Sequence, residues 1–232
     1  YNWDAVSTHD YTPYLRYFDN VHTFDPKDAR RLGVRYLPLF CIRSFQELPD
    51  RFESPLSVYF VGNIVSPERY RAVQAFRQYC VEQGISFRYF LSTTVHGLTQ
   101  MLKQGIIPWD VSLRSIPKAR FIAMVEESAA VFDFANHHQA GYTMRIIENL
   151  CARKKLITNN PLIAQEAFIS EDRAFVFQGL DFNGVKSFLE TPLTDATEVF
   201  REFHVQQFVQ RLLAPESPVV PLRHDANARA DA

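Results

Sequence analysis

"AAVFDFANHHQAGYTMRIIENLCARKKLITNN", residues 129–160, is the stretch that decides the fold. Its first seven residues are apolar enough for a strand buried on both faces, and "KKLITNN" at its end predicts a second strand. The segment between them, from about Ala140 to Ala152, has helical periodicity. A strand, a helix and a second strand in succession form a βαβ unit, which requires a parallel sheet.

The same alternation continues on both sides of this unit. Residues 1–50 contain "NVHTF" and "VRYLPLF", two short strands around a helical turn with Asp25 as N-cap, Pro26 at its first position and Gly33 at its end. We therefore predict an α/β protein with a Rossmann-like parallel sheet and helices on both faces. Further strands are expected at 56–63, 85–91 and 173–179, and helices at 67–84, after Ser115, at 161–168, near 183–190 and at 194–213; 42–54 is expected to be a linker, and 95–113 to be partly helical.

Composition excludes several classes of protein. The net charge of −1 lacks the basic footprint of a nucleic-acid binder, and no apolar run approaches the roughly 20 residues of a membrane helix. The three cysteines lack metal-ligand or disulfide spacing, so we expect buried, reduced thiols in a cytoplasmic protein. The chain begins with tyrosine, and we expect a fragment or a processed form.

Two groups of side chains divide the predicted helix. Met144, Ile146, Ile147, Leu150 and Cys151 fill one arc, expected to face the sheet, whereas Gly141, Arg145, Glu148 and Ala152 line the opposite side. One interpretation of Arg145 and Glu148 is an exposed ion pair at i, i+3. The other is a nucleotide site, in which helix-start N–H groups and Arg145 bind phosphate and Glu148 accepts hydrogen bonds from a ribose diol.

Ligands of open parallel sheets bind beyond the carboxyl ends of the strands. Candidate residues at these ends are Gly62 and Asn63, then residues 136–141, and then residues 158–160. His137 and His138 could meet a phosphate but lack a third ligand spaced for metal, and Asp133 is not part of a DxD pair. Lys154 and Lys155 are expected to complement the dipole at the end of the helix; Asn159 and Asn160 could contact a nucleotide or simply form a turn.

The quoted motif resembles a family of bacterial glycosyltransferase-like (CgeB-like) proteins of lipopolysaccharide and surface polysaccharide synthesis. Its signature is roughly "HPKQxGLTMRTIExLGxxKKLITTN". "YNWDAVSTHDYTPYLRYFDNVHTFDPKDARRLGVRYLPLF" and "VYFVGN" are similar to further family motifs, so the resemblance covers most of residues 1–213. The matching residues of the signature are Gln139, Gly141, Thr143, Met144, Arg145, Glu148, Leu150, Lys154, Lys155, Leu156, Ile157, Thr158 and Asn160.

This resemblance implies a GT-B architecture, in which two Rossmann-like domains hold a nucleotide-sugar in their cleft without metal. Residues 51–213 would be the C-terminal, donor-binding domain, residues 1–50 an incomplete N-terminal, acceptor-side domain, and residues 214–232 a disordered tail. The Gly62 loop and the helix start at Gly141 would face the diphosphate, and Glu148 the ribose. The donor set implied in this way is Gly62, Asn63, Gln139, Gly141, Thr143, Arg145, Glu148 and Asn160.

An inverting transferase also needs a base for the acceptor hydroxyl, and Asp4, His9 and Asp10 are the candidates on the acceptor side. The expected function is transfer of a sugar to a lipopolysaccharide or capsule glycan, in the cytoplasm or at the inner face of its membrane. Two alternatives stay open, a non-catalytic nucleotide-sugar-binding or scaffold module and another Rossmann-like enzyme such as an epimerase. Departures from the signature at Tyr142, Ile146 and Cys151 leave the donor undetermined.

Overall fold

The structure is a computed structural model that describes residues 1–49, 51–64, 66–135, 141–166, 169–194 and 197–213. Its first part is a small parallel βαβ unit made of β1 (His22–Thr23), α1 (Pro26–Leu32) and β2 (Arg35–Tyr36). The Asp25 side chain caps α1 by accepting from the backbone N–H groups of Lys27 at 2.8 Å and Asp28 at 3.2 Å. Gly33 ends the helix with a φ of 65°, which favours glycine. The predicted cap, start and stop are thus confirmed.

The main sheet has six parallel strands in the order β5-β4-β3-β6-β7-β8. The chain starts this sheet in the middle at β3, builds outward to one edge, and then returns to β6 beside β3 to build the other half. The switch point of the topology therefore lies between β3 and β6. The strands are β3 (Ser57–Asn63), β4 (Ser86–Ser92), β5 (Val111–Ser112), β6 (Ala130–Asp133), β7 (Lys155–Thr158) and β8 (Ala174–Val176).

Helices join these strands, mostly where they were predicted. The helix predicted at 140–152 begins later, at Met144, because the Thr143 side chain accepts from the Ile146 N–H and caps it there. The helix predicted at 194–213 is a 3-10 helix followed by an α-helix. The α-helices are α2 (Arg43–Gln46), α3 (Pro67–Gln83), α4 (Val95–Lys103), α5 (Lys118–Glu126), α6 (Met144–Cys151), α7 (Val185–Glu190) and α8 (Val205–Leu213), and the 3-10 helices are Thr12–Tyr17, Pro161–Gln165 and Thr197–Phe203.

Two hydrophobic clusters cover the two faces of the sheet. One packs α3 and α7 against the sheet, and the other packs α6 together with residues from the N-terminal part, such as Phe24 and Leu39. The N-terminal part therefore shares a core with α6, and the domain boundary at residue 50 stays a prediction. All three cysteines, Cys41, Cys80 and Cys151, are buried and free, as expected.

The last described helix returns to the N-terminal part. Main-chain bonds join Cys41 N–H to the Phe203 carbonyl at 2.7 Å and Val205 N–H to the Cys41 carbonyl at 3.1 Å. The Phe208 ring on α8 lies 4.4 Å from the ring of Phe40 and 4.9 Å from that of Tyr1, measured between centroids. These contacts fix the two ends of the described chain to each other. The tail predicted at 214–232 lies outside the described residues.

None of the helices in the described part of the chain combines the length and apolar character needed to cross a membrane.

Candidate functional site

The site assembles at the carboxyl edge of the sheet, around the switch point between β3 and β6. Arg145, in the first turn of α6, donates from Nη1 to Asp133 Oδ1 at 2.7 Å and from Nη2 to the Val61 carbonyl at 2.8 Å. Its guanidinium carbon lies 5.0 Å from the centroid of the Phe60 ring. The expectation that Arg145 lies on the side of the helix opposite the sheet is therefore wrong. The buried Asp133 carboxylate explains the difference, because a buried charge requires a paired cation.

Gly62 makes room for this arginine. A Cβ atom added at Gly62 would lie 2.7 Å from the Phe60 ring and 3.0 Å from Arg145 Nη2. Both distances are shorter than ordinary carbon contacts, so a side chain here would displace the guanidinium group. The structure thus brings Gly62 and Arg145, two members of the predicted donor set, next to each other. Their contact with each other is a packing contact, and the binding of a phosphate by either stays a prediction.

A second arginine bridges the ends of β3 and β6 by hydrogen bonds. It was not identified from the sequence as a candidate site residue. Arg69, in the first turn of α3, donates from Nη1 to the Asn63 carbonyl at 3.0 Å and from Nη2 to the Phe134 carbonyl at 2.9 Å. Burial, with the nearby Arg145 charge, lowers the pKa of Arg69. Its position at the start of the helix after β3 was the available signal, since helix starts after a central strand face the switch point.

Glu148 lies one turn after Arg145 on α6. Burial raises the pKa of its carboxyl group to about 7, and the Arg145 charge only partly offsets this effect. Across the described ranges, no group donates a hydrogen bond to this carboxylate. The i, i+3 spacing allowed an ion pair between Arg145 and Glu148, but in the structure Arg145 pairs with Asp133 instead. A partly buried acid with a raised pKa and no donor is typical of functional positions.

Three other predicted donor residues have structural roles. Thr143 caps α6, and Asn160 caps the following 3-10 helix because its Oδ1 accepts from the Leu162 N–H at 3.1 Å. The close approach that Gly141 permits is made by Phe24 of the N-terminal part: an added Cβ would lie 2.5 Å from the Phe24 carbonyl oxygen. The donor role of these residues stays a prediction. Asn63 is exposed at the strand end, and Gln139, His137 and His138 lie outside the described residues.

We expect Gly141→Ala to lower the free energy of unfolding by about 1–3 kcal/mol, the usual cost of overpacking. The reason is that the new methyl group meets a backbone carbonyl oxygen, which moves less easily than the end of a side chain. The midpoint and slope of urea denaturation measure this change. An unchanged midpoint would show that the N-terminal part can move away from α6 at no cost.

The candidates for the catalytic base, Asp4, His9 and Asp10, are all exposed. Asp10 Oδ1 accepts from the Thr12 side chain at 2.6 Å and from its backbone N–H at 3.0 Å, which lowers the pKa of this carboxyl group. Within the described ranges, none of the three forms a hydrogen bond or an ion pair with Arg145 or Glu148. Their role as a base stays a prediction.

The two lysines were expected to complement the dipole of α6, and this is wrong. Lys155 is the first residue of β7, and its Nζ donates to the carbonyls of Phe188, Leu189 and Thr191 at the end of α7. Lys154 Nζ lies 3.5 Å from the Glu126 carbonyl at the end of α5. Both lysines therefore stabilise the carboxyl ends of neighbouring helices. Burial lowers the pKa of Lys155.

A cavity of about 500 Å³ adjoins the switch point, on the side of β7 and β8. Phe134, Asn159, Phe177 and Leu180 contribute to its largely apolar wall. The Asn159 side chain also joins two strand ends, because its Oδ1 accepts from the Ala135 N–H at 2.7 Å. Among the described residues there is no cluster of three or more acidic, histidine or cysteine side chains suited to a metal ion, and metal independence stays a prediction.

Comparisons with solved structures give distant likenesses to glycosyltransferases. A glycosyltransferase from Rickettsia africae ESF-5 is 8% identical with a TM-score of 0.53, and the match covers 86% of this chain and 65% of that one. TarM is 11% identical (TM-score 0.47), with 87% and 41% covered. The catalytic domain of starch synthase IV from Arabidopsis thaliana, bound to ADP and acarbose, is 14% identical (TM-score 0.40), with 74% and 37% covered.

These likenesses bear on the fold alone. The predicted class, a Rossmann-like parallel α/β sheet of the GT-B-like type, is confirmed by the strand order and by the likeness to the Rickettsia protein. The chain spans less than two thirds of the length of each of these three proteins. No protein-family profile matches it. No curated protein matches it either.

Proposed function

We propose that this chain is the donor-binding part of a metal-independent glycosyltransferase that moves a sugar from a nucleotide-sugar to a cell-envelope glycan, such as lipopolysaccharide or capsule. The observation that carries the proposal is the Glu148 carboxylate, held at the switch-point edge without a donor from the described residues. A ribose diol supplies two O–H donors at once, which is what such a carboxylate lacks.

Phosphate binding would use the groups around Glu148. Arg145 lies one turn nearer the start of α6. Its guanidinium group already donates to Asp133 and to the Val61 carbonyl, but its side chain stays 20% exposed, and its remaining N–H groups would meet the phosphate. The first N–H groups of α6 add positive potential at the same edge. The apolar cavity beside Phe134 and Asn159 provides a place for a planar base. Diphosphate, ribose and base would thus be bound by neighbouring parts of one edge.

Catalysis would rest on positioning and on stabilisation of the departing diphosphate by Arg145 and the helix start. Asp4, His9 or Asp10 would deprotonate the acceptor hydroxyl. The three side chains are exposed, and within the described residues none forms a hydrogen bond or an ion pair with Arg145. Both observations favour the second candidate function, a nucleotide-sugar-binding module without transfer activity. The enzyme would work in the cytoplasm, with its glycan acceptor at the inner face of the membrane.

Calorimetric titration with UDP, GDP, ADP, TDP and CMP tests the donor site. We expect one of them to bind, and its affinity to fall as the pH is lowered through about 7, because the pKa of Glu148 is raised to about 7 and a diol binds best to the ionised form. Between pH 8 and pH 6 the loss attributable to Glu148 should approach about tenfold. Near pH 7 binding should release a proton from Glu148, seen by comparing buffers with different ionisation enthalpies.

Glu148→Gln is the control for this pH dependence, since the ligand's own phosphate also titrates near pH 6. In this variant the pH dependence of affinity that is due to the Glu148 carboxyl group should disappear. The pH dependence that is due to the ligand's phosphate should remain. If wild type and variant have the same pH profile, Glu148 does not bind the nucleotide. Hydrolysis or transfer assayed with the corresponding nucleotide-sugar separates an enzyme from a binding module.

A further inference from the structure

The edge of the main sheet at β5 exposes several large apolar side chains. β5 has only two residues and forms the edge opposite β8. The residues around it leave the end of α4, form a turn and pass beyond the strand. Four of them are between 50% and 75% exposed: Leu102, Ile107, Trp109 and Leu113. Large apolar side chains exposed so close together in the chain mark an interaction surface.

Hydrogen bonds fix the segment that carries these side chains. The Thr93 N–H group, after β4, donates to the Ser112 carbonyl in β5 at 2.9 Å. The Asp110 carboxylate accepts from the Tyr70 hydroxyl group at 2.9 Å and from the Gln74 amide at 2.8 Å, both on α3. The segment is therefore tied to the sheet and to α3, and the Asp110 carboxylate is directed toward α3.

Four exposed cations accompany the apolar side chains. They are Lys103, Arg114, Lys118 and Arg120. Within the described residues, none of their side chains forms a hydrogen bond or an ion pair. Asp110 is the only acidic residue between positions 95 and 120. We name the four cations and the four apolar residues the β5-edge surface, which is thus positively charged in a chain whose net charge is −1.

Ring contacts place cations on both faces of the sheet at this edge. α3 and α5 pack on opposite faces. The Arg77 guanidinium carbon, on α3, lies 5.5 Å from the centroid of the Trp109 ring. The Arg120 guanidinium carbon, on α5, lies 5.5 Å from the centroid of the Phe90 ring on β4, the strand that pairs with β5. The exposed apolar side chains are therefore flanked by positive charge on both sides.

A second group of exposed aromatic rings has the opposite charge around it. This group lies in residues 1–20, which contain three aspartates and one arginine, and consists of Trp3, Tyr14, Tyr17 and Phe18. A negatively charged surface would repel this group and attract the β5-edge surface. The two groups thus serve as natural controls for each other.

Anionic lipid fits the combination of groups at the β5-edge surface. Tryptophan and aliphatic side chains enter the headgroup region of a bilayer, while lysine and arginine attract anionic headgroups. Two copies of the chain that met at this edge would place like charges opposite each other. Nucleic acid would neutralise the cations but leave Ile107 and Leu113 without an apolar partner. We propose that the β5-edge surface docks this chain on a bilayer that contains anionic phospholipid.

Docking of this kind would bring the donor site close to the bilayer. β5 pairs with the last two residues of β4, so Leu113 and Arg114 lie at the carboxyl edge of the sheet. The same edge carries Arg145 and Glu148, on the other side of the switch point. The proposal does not depend on glycosyl transfer, because lipid binding is measured without any nucleotide.

Sedimentation with sucrose-loaded vesicles tests the docking surface. We expect the chain to bind vesicles of phosphatidylcholine with about 30% phosphatidylglycerol at least about tenfold more tightly than vesicles of phosphatidylcholine alone. Raising the salt from about 0.1 M to about 1 M should weaken this binding at least about tenfold, because the Debye length falls from about 10 Å to about 3 Å. Equal binding to both kinds of vesicle, or binding to neither, would overturn the proposal.

A double variant, Arg114→Gln with Lys118→Gln, removes two charges from the β5-edge surface. It should bind anionic vesicles about thirtyfold more weakly, since each cation near such a surface strengthens binding about fivefold. Lys27→Gln with Arg30→Gln removes the same charge from exposed positions on α1 and is the matched control, expected to lose less than about threefold. If the two double variants bind alike, the β5 edge does not carry the docking.

The two tryptophans of the chain provide an independent measurement. Trp3→Phe leaves Trp109 as the only tryptophan, and Trp109→Phe leaves only Trp3. With anionic vesicles, Trp109 fluorescence should move to shorter wavelength and be quenched by brominated lipid, because the ring enters the headgroup region. Trp3 fluorescence should not change. A response of Trp3 alone, or of neither tryptophan, contradicts the proposed orientation and overturns the β5-edge surface as the docking site.

Two further measurements separate the docking surface from its rivals and from the proposed function. Self-association that Trp109→Ala abolishes would assign the edge to a second copy, and binding of a DNA duplex without vesicle binding would assign the cations to nucleic acid; either result overturns the proposal. Nucleotide titration of Arg114→Gln with Lys118→Gln should match wild type. A chain that binds nucleotide but no vesicles contradicts only the docking surface, and the reverse result contradicts only the donor site.

Discussion

Asp133→Ala is expected to lower the free energy of unfolding by about 3–5 kcal/mol, the cost of removing one partner of a buried ion pair. Asp133 is completely buried at the end of β6 and accepts from Arg145 at 2.7 Å and from the Thr158 hydroxyl group at 3.0 Å. Alanine leaves the guanidinium group without its counter-charge and the hydroxyl group without its acceptor. The loss should appear as a lower urea midpoint with an unchanged slope.

The matched control is Asp19→Ala, which removes an exposed carboxylate from the surface and should shift the midpoint little. A double variant, Asp133→Leu with Arg145→Met, removes both charges, and we expect it to recover much of the stability lost in Asp133→Ala. If Asp133→Ala loses less than about 1 kcal/mol, or if the double variant is the less stable of the two, the ion pair does not hold the switch point together.

Much of the fold was predictable because the helix-capping residues and the apolar runs of this chain indicate the same order of helices and strands. Asp25, Pro26 and Gly33 fix both ends of α1, and Pro67 and Gly84 do the same for α3. Continuous apolar runs identified β3 and β6 as strands buried on both faces. The two-residue strand β5 was missed, because it is too short to show a period of its own.

Side-chain direction on α6 was harder to predict. A helical wheel sorts residues by polarity and therefore assigned Arg145 to the solvent side. The arginine instead pairs with the buried carboxylate of Asp133 at the end of the preceding strand, and Gly62 leaves space for its guanidinium group. The same limit applies to Gly141, which receives the Phe24 carbonyl group, and to Lys155, which binds the end of α7. These partners depend on how the helices and strands pack against one another, and a local sequence pattern carries no information about that packing.

The position of Glu148 was nevertheless recovered from the sequence. The motif placed it one turn beyond Arg145 on the helix after β6, and strand order alone puts that helix at the switch point. Its raised pKa could not be predicted, because it depends on how much of the carboxyl group the neighbouring elements cover. The assignment to ribose is therefore best tested by removing the carboxyl group itself.

Glu148→Ala is expected to weaken binding of the nucleoside diphosphate about a hundredfold. Two hydrogen bonds from a diol to an ionised carboxylate together contribute about 3 kcal/mol, and each 1.4 kcal/mol is a factor of ten in affinity. Stability should move the other way. Because burial raises the pKa of Glu148 from 4.5 to about 7, the folded chain loses stability as the pH rises from 4.5 to about 7, and the loss is complete above that range. At pH 8 the alanine variant should therefore be as stable as wild type or more stable.

The combination of weaker binding and undiminished stability is what distinguishes a ligand-binding carboxylate from a structural one. Calorimetry with the diphosphate that binds best, and urea denaturation at pH 8 and pH 5, provide the two measurements. Glu82→Ala, which removes an exposed glutamate from the last turn of α3, is the matched control and should leave nucleotide binding unchanged. If Glu148→Ala binds as tightly as wild type, the ribose assignment is wrong. If it unfolds instead, the carboxylate holds α6 in place, and the pH profile of nucleotide binding by Glu148→Gln decides the ribose assignment.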